Sequence, residues 1–296
     1  MAKRKPAWKD VENRDGRSEA SSGKRSSSKG SKGSKRSKGS RRPERRRLRV
    51  VYDVNGPRVR LGVGWFILNV AALIGGRWAV AVLYSLTAAI AALQSAKTWR
   101  VGGRRPHRIA AGAGAGAISI AGAFTTETVG AVILGVVAVA LFLGYAGRAR
   151  DPRADPILDA SFTIRCALFA GFAAACVSIA ARFEFSSVVG LVFIVAAYET
   201  GDFLVGSGAS NSVEGPVAGG TAIVVTTFAI AALGIKPFEF PNAFLFGGIA
   251  AVLCPAGQLL ASAILPAADA PASALRRIDS LLLLAPVWAL VVGFLI

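Results

Sequence analysis

Residues 128–147 read TVGAVILGVVAVALFLGYAG, twenty residues without one charged side chain. A run of that length and character matches the roughly 17–25 residues that cross the hydrocarbon core of a bilayer. Similar segments recur along the chain. Counted by uncharged or nearly uncharged length, nine apolar segments lie at 61–76, 78–96, 109–125, 128–147, 163–181, 186–198, 216–235, 243–265 and 280–296. The pattern predicts an all-α, polytopic membrane protein with about nine transmembrane helices. Arg77 divides the first two segments so tightly that they form a helical hairpin. The sixth segment is the shortest and either continues past Glu199 or is a broken helix.

The composition of the whole chain averages two different materials. Of 296 residues 53% are hydrophobic, yet the formal net charge is +18, and the mean hydropathy is +0.50. Residues 1–50 hold 19 Lys/Arg against 5 Asp/Glu, whereas the remaining 246 residues hold 16 against 12. The first part is too polar to bury a core. The stretch 21–42, SSGKRSSSKGSKGSKRSKGSRR, has flexible-linker composition with self-repelling charge. The expected organisation is therefore a disordered basic tail over 1–57 and a transmembrane domain over 58–296. The tail has no apolar h-region of a secretory signal. Its charge suits an anionic lipid surface, at about 1 kcal/mol per basic residue. Nucleic acid is disfavoured, because no aromatic residue interleaves with Lys or Arg between positions 9 and 50.

The loops support one orientation. Lys97, Arg100, Arg104, Arg105 and Arg108 follow segment two, Arg148, Arg150 and Arg153 follow segment four, and Arg276 and Arg277 precede segment nine. With nine spans all of these fall on the side of the basic tail. The opposite connections carry only Arg77, Arg182 and Lys236. The positive-inside rule then predicts a multi-pass protein of the inner (plasma) membrane with a cytoplasmic N-terminus.

Several function classes are excluded. The cysteines, Cys166, Cys176 and Cys254, each sit in an apolar run and form no disulfide framework or zinc pattern. His107 is the sole histidine, so no multi-His metal site exists within one chain. Gly112 and Gly116 make a GxxxG spacing that suits packing within the chain or, as the alternative, a homodimer.

Polar chemistry concentrates in two places. Residues 198–221 bring Glu199, Asp202 and Glu214 together with hydroxyls and glycines, a composition suited to an anion-binding turn or to Mg²⁺, and equally to a capped loop. The second place is Arg276-Arg277-Ile278-Asp279-Ser280, just before an apolar run. It reads either as a basic anchor with Asp279 as helix N-cap, or as Arg277 on a phosphate and Asp279 on a metal.

In this order, the C-terminal hundred residues resemble the CTP:phosphatidate cytidylyltransferases, the CDP-diacylglycerol synthases. Glu199-Thr200-Gly201-Asp202-Phe203 is similar to that family's D-[ST]-G-A-[YF] element. The stretch from Asn211 to Gly220 is similar to its S-P-x-K-T-x-x-G-x-x-G-G, Gly257–Ser262 stands at its G-D-L-x-E-S, and Arg276–Ser280 followed by Ala285-Pro286-Val287 is similar to its D-R-[ILV]-D-S and A-P-V. The resemblance implies a divergent enzyme in which a phosphatidate phosphate attacks the α-phosphorus of CTP and pyrophosphate leaves. It implies catalytic roles for Asp279, Arg277, Asp202 and Glu199. Substrate binding would fall to Asn211, Ser212, Glu214, Gly215, Gly219, Gly220, Arg276 and Ser280. Mg²⁺ would sit on Asp279 and Asp269. The family's phosphate lysine is Asn211 here, its G-D-L-x-E-S acids are Gln258 and Ala261, and the first Asp of its D-R-x-D is Arg276. These differences open a second reading, a catalytically degenerate relative that binds lipid or a partner protein. A third, a small-solute transporter with a broken sixth helix, finds no internal repeat in the sequence.

Overall fold

A computed structural model describes residues 58–101, 104–150, 155–209, 211 and 213–295. The expected tail, 1–57, lies outside the described residues. Among these residues are nine α-helices: α1 Arg58–Ile74, α2 Gly76–Val101, α3 Arg108–Ala121, α4 Thr126–Arg150, α5 Pro156–Phe183, α6 Phe185–Gly206, α7 Glu214–Ala232, α8 Asn242–Ile264 and α9 Leu281–Leu295. A 3-10 turn, Leu275–Arg277, precedes α9.

Six of the nine helices, α2 and α4 to α8, are long and apolar enough to cross a membrane. The apolar parts of α1, α3 and α9 are shorter, at 10–17 residues. The expectation of nine full spans thus resolves into six long helices and three short ones. The 14 residues of α3 rise only about 21 Å, against a hydrocarbon core of about 30 Å. The sixth segment runs on through Glu199 and Asp202 to Gly206. Its polar residues do not stop it, because Thr200 Oγ1 donates back to Ala196 O (2.7 Å) and Asp202 is buried against α8.

The bundle is organised around α5, which packs against α2, α3, α4 and α9. Its central 18-residue stretch is 72% buried, whereas that of α4 is only 17% buried and turns Leu134, Val139 and Phe142 outward. Lipid tails are as apolar as leucine, so no hydrophobic effect drives these helices together in a membrane. Close backbone approach does. The inner faces are accordingly built from alanine and glycine: Ala88, Ala91, Ala115, Ala167, Ala170 and Ala174 are almost completely buried. A Cβ on Gly171 of α5 would stand 2.9 Å from both Ala115 Cα and Ala115 O of α3, and one on Gly122 would stand 2.4 Å from Ala175 O. The GxxxG pair is used within the chain: Gly112 faces Leu93 and Gly116 faces Ala89 and Ser85, all on α2, with Ser85 Oγ donating to Gly116 O at 2.9 Å. Helices α6, α7 and α8 form a second group, and α9 joins the two by packing on α5 and α8.

Side-chain ties identify the two ends of the bundle. Trp99 Nε1 donates to Ile264 O (3.1 Å), Ala274 N donates to Gln94 Oε1 (2.9 Å) and His107 N donates to Thr163 Oγ1 (2.9 Å). These bonds bring the end of α2, the starts of α3 and α5, the end of α8 and the 3-10 turn to one end. At the other end Arg182 donates to Phe124 O and to Thr126 Oγ1, and Ser186 Oγ donates to Lys236 O. Arg100, Arg104, Arg105, Arg108, Arg276 and Arg277 therefore share one end, and Arg182 and Lys236 the other.

Gly171→Ala is expected to cost roughly 1–3 kcal/mol, since its methyl group meets fixed backbone. Gly130→Ala, where a Cβ meets nothing within 4 Å, should stay within about 0.5 kcal/mol of the parent. Thermal unfolding of both variants in detergent measures the difference; equal melting would remove the α3–α5 contact as a packing constraint.

Candidate functional site

Three segments bring polar side chains into one buried cluster at the basic end. The last turns of α6 carry Tyr198, Glu199 and Asp202. One face of α8 carries Gln258 and Ser262, four residues apart and so stacked on successive turns. The turn into α9 carries Arg276, Arg277, Asp279 and Ser280. That turn is held by Arg276 N to Ala272 O and Ile278 N to Leu275 O, both 3.2 Å, and anchored by the buried Leu275 and Ile278. It reaches the cluster because α8 has no side chain at Gly257: a Cβ there would stand 2.3 Å from Asp279 O.

Buried polar groups need partners, and here the protein supplies them. Asp202, Asp279 and Gln258 are 3%, 6% and 7% exposed. Gln258 Nε2 donates to Asp202 Oδ2 (3.1 Å) and Gln258 Oε1 accepts from Tyr198 OH (3.2 Å). Asp279 Oδ1 accepts the Ser280 N–H (2.8 Å), and its Oδ2 lies 3.6 Å from Arg276 Nη1. Arg276 also donates to Ser262 Oγ (3.2 Å) and to Ala268 O (2.6 Å). Burial pushes the Asp279 carboxyl up to about 6; the Arg276 guanidinium and the Ser280 N–H oppose that rise, and Asp202 adds to it. Glu199 lies within electrostatic reach of Asp279, Arg277 and Asp202, and its Oε1 is buried without a hydrogen-bond partner.

Six of the residues singled out in the sequence therefore meet here: Glu199, Asp202, Arg276, Arg277, Asp279 and Ser280. The others do not join them. Asp269 is exposed in the turn after α8. Asn211 and Glu214 bond to each other (3.0 Å) and, with Val213 and Val217, line an open cleft of about 400 Å³ at the start of α7. Gly215, Gly219 and Gly220 belong to the first two turns of α7, so the expected glycine-rich turn is helix. Gly219 is a packing residue: a Cβ on it would stand 2.6 Å from the Tyr198 ring. Ser212 lies outside the described residues. Tyr198, Gln258 and Ser262 are site residues to which the motif reading gives no role, although it sets Gln258 where the resembling family has an acid. The available signal was a lone neutral amide, Gln258, in an otherwise apolar span.

Among the described residues no group of three or more His, Cys, Asp or Glu side chains assembles to hold a metal ion. Asp202 faces an amide and Asp279 a guanidinium, so these residues do not fit the Mg²⁺ site that the resemblance implies. Comparison with protein families, with curated proteins and with solved structures finds no match to this chain.

Arg276→Ala should destabilise the protein by about 3–5 kcal/mol, the usual consequence of leaving a buried carboxylate without its cation. Arg276→Ala combined with Asp279→Asn should recover more than about 1 kcal/mol of that loss. Unfolding of the two variants, each read with the Asp279→Asn single, gives the coupling; an additive result would remove the compensation. Gly257→Ala should be destabilising by roughly 2–3 kcal/mol through its collision with Asp279 O.

Proposed function

We propose that this chain is a catalytically silent, phosphatidate-cytidylyltransferase-like membrane protein that binds anionic lipid. One observation carries the reading: Gln258 and Arg276 stand on the carboxylates of Asp202 and Asp279, where the resembling family has acids that gather Mg²⁺. Nucleotidyl transfer from CTP is mostly positioning and charge neutralisation. A site whose two aspartates already hold partners from their own chain, an amide on Asp202 and a guanidinium on Asp279, has less left with which to gather a metal for a triphosphate. The basic end and the basic tail fit a cytoplasmic orientation in the inner membrane and an anionic lipid surface.

A divergent active synthase is the second reading. In its favour, Glu199, Asp202 and Asp279 are within electrostatic reach of one another, with Arg277 beside Glu199. In that reading Arg277 meets phosphate and Asp279 meets the metal. A solute transporter is supported least, because the polar cluster sits at the ends of α6 and α8 and not at mid-span.

Purified protein in lipid with CTP, phosphatidate and Mg²⁺ should form no CDP-diacylglycerol beside an active control synthase, and Mg²⁺ should leave its melting temperature unchanged. CDP-diacylglycerol that disappears in Asp279→Ala would overturn the silent reading and establish the active one. Removal of a single charge-stabilising group at such sites costs about 10²–10³ in rate, so even a strongly impaired synthase falls within reach of a radiolabelled assay.

A further inference from the structure

The geometry points to a lipid headgroup site between the end of α2, the connection that follows it, α4 and α5, and we propose that it takes a phosphodiester lipid whose headgroup carries hydroxyls. The inference rests on the lipid-binding half of the proposed function and not on the state of the Asp279 cluster. A groove of about 150 Å³ opens at the basic end of the bundle. Arg100, from the last turn of α2, and Arg105, from the connection to α3, form its cationic wall, with His107 beside them. Ala140, Leu143 and Gly147 of α4 form an apolar floor, and Asp159 of α5 faces them.

The cationic wall is held in place before any ligand arrives. Arg100 Nε donates to Pro106 O (2.9 Å). The His107 backbone N–H is tied to Thr163 Oγ1 (2.9 Å), and its Nδ1 accepts the Ala110 N–H (3.2 Å). In the neutral imidazole the ring proton is then on Nε2, which is a donor. Pre-organised cations at the membrane–water boundary, between helices, are the arrangement that recognises phospholipid headgroups.

The floor provides for the acyl chain. Gly144 allows α4 to lie against the start of α5, since a Cβ there would stand 2.4 Å from Pro156 O, whereas a Cβ on Gly147 meets nothing within 4 Å. The groove therefore continues along a helix whose outer residues, Leu141 and Phe142, already face lipid. A lipid lying along α4 brings its phosphate to Arg100 and Arg105.

Asp159 sets the headgroup. A carboxylate accepts hydrogen bonds and donates none when ionised. It repels the second charge of a phosphomonoester, and it accepts hydrogen bonds that choline, with no N–H or O–H, cannot donate, while Arg100 and Arg105 oppose the choline charge. It matches a singly charged phosphodiester with free hydroxyls, such as a glycerol or inositol headgroup.

Delipidated full-length protein in detergent, titrated with phosphatidylglycerol, phosphatidic acid and phosphatidylcholine and read by native mass spectrometry, tests the site. Phosphatidylglycerol should bind about tenfold more tightly than either competitor, the scale of one charge-assisted hydrogen bond. The basic tail attracts phosphatidic acid at least as strongly, so this order reports the groove. Arg100→Gln with Arg105→Gln should abolish the preference, and Asp159→Asn should narrow the gap between phosphatidylglycerol and phosphatidic acid. Gly147→Leu, which fills open space without changing charge, should weaken lipid binding while leaving the melting temperature of the lipid-free protein in place. Binding that ignores Gly147→Leu, that follows lipid charge alone, or that inorganic phosphate displaces at equal concentration would overturn the proposal. CDP-diacylglycerol formation would overturn the silent reading above and leave this site standing.

Discussion

The contact on which the rest of the structure depends is the backbone approach of α3 to α5. In lipid, two leucine-covered helices gain nothing by leaving the hydrocarbon for each other. Gly171 against Ala115 and Gly122 against Ala175 bring main chains together that bulkier residues would hold apart. Dispersion between closely packed atoms then supplies the attraction. With α3 fixed, α2 follows through Gly112 and Gly116, and α4 rests on the outside of α5.

The second group of helices is placed through polar reach rather than small residues. Arg165, from within α5, extends to Ala263 O at the end of α8, and its guanidinium lies over the Trp99 ring at 5.4 Å. Trp99 donates to the next carbonyl, Ile264 O. The end of α8 is thereby anchored, and with it the face that presents Gln258 and Ser262. Gly257 then admits the turn into α9, and Trp288 of α9 packs on Phe238 and Phe246, which also contact each other. The acids of α6 come to rest against that assembled surface. A buried charge there is costly unless a partner meets it, and Gln258 and Arg276 meet Asp202 and Asp279.

Much of this was legible in the residues. Long uncharged runs such as 128–147 announce helices that cross a membrane, and the alternation of basic and nearly neutral connections corresponds to the two ends of the bundle. The pairing of Glu199 and Asp202 with Arg277 and Asp279 was readable from the order of the motifs. What escaped was of two kinds. Whether an apolar stretch is long enough to cross depends on where its helix stops, and α3 ends at Ala121, beside Gly122, which lies against Ala175 O, a contact 53 positions away in the chain. Likewise the glycines from Gly215 to Gly220 look like a phosphate loop when read alone, but they lie in α7, where Gly219 has no Cβ to collide with the Tyr198 ring. Gln258 looks inert by itself and acquires meaning only beside Asp202.

The position of Arg165 has a consequence for biogenesis. It is the tenth residue of α5, about 15 Å along the helix from its start, and the carbonyl that receives it belongs to α8. When α5 enters the bilayer during synthesis, α8 has not been made. An arginine in a span costs about 2.5–3.5 kcal/mol near the helix centre, and before α8 is made the Trp99 ring of α2 is already present to face this one. The apolar remainder of α5, with a mean hydropathy of 1.9 over its span, works against that cost. The guanidinium of Arg165 therefore reaches its carbonyl on α8 only once the C-terminal third of the chain has been made. A chain that terminates before α8 leaves α5 held by its contacts with α2, α3 and α4 alone.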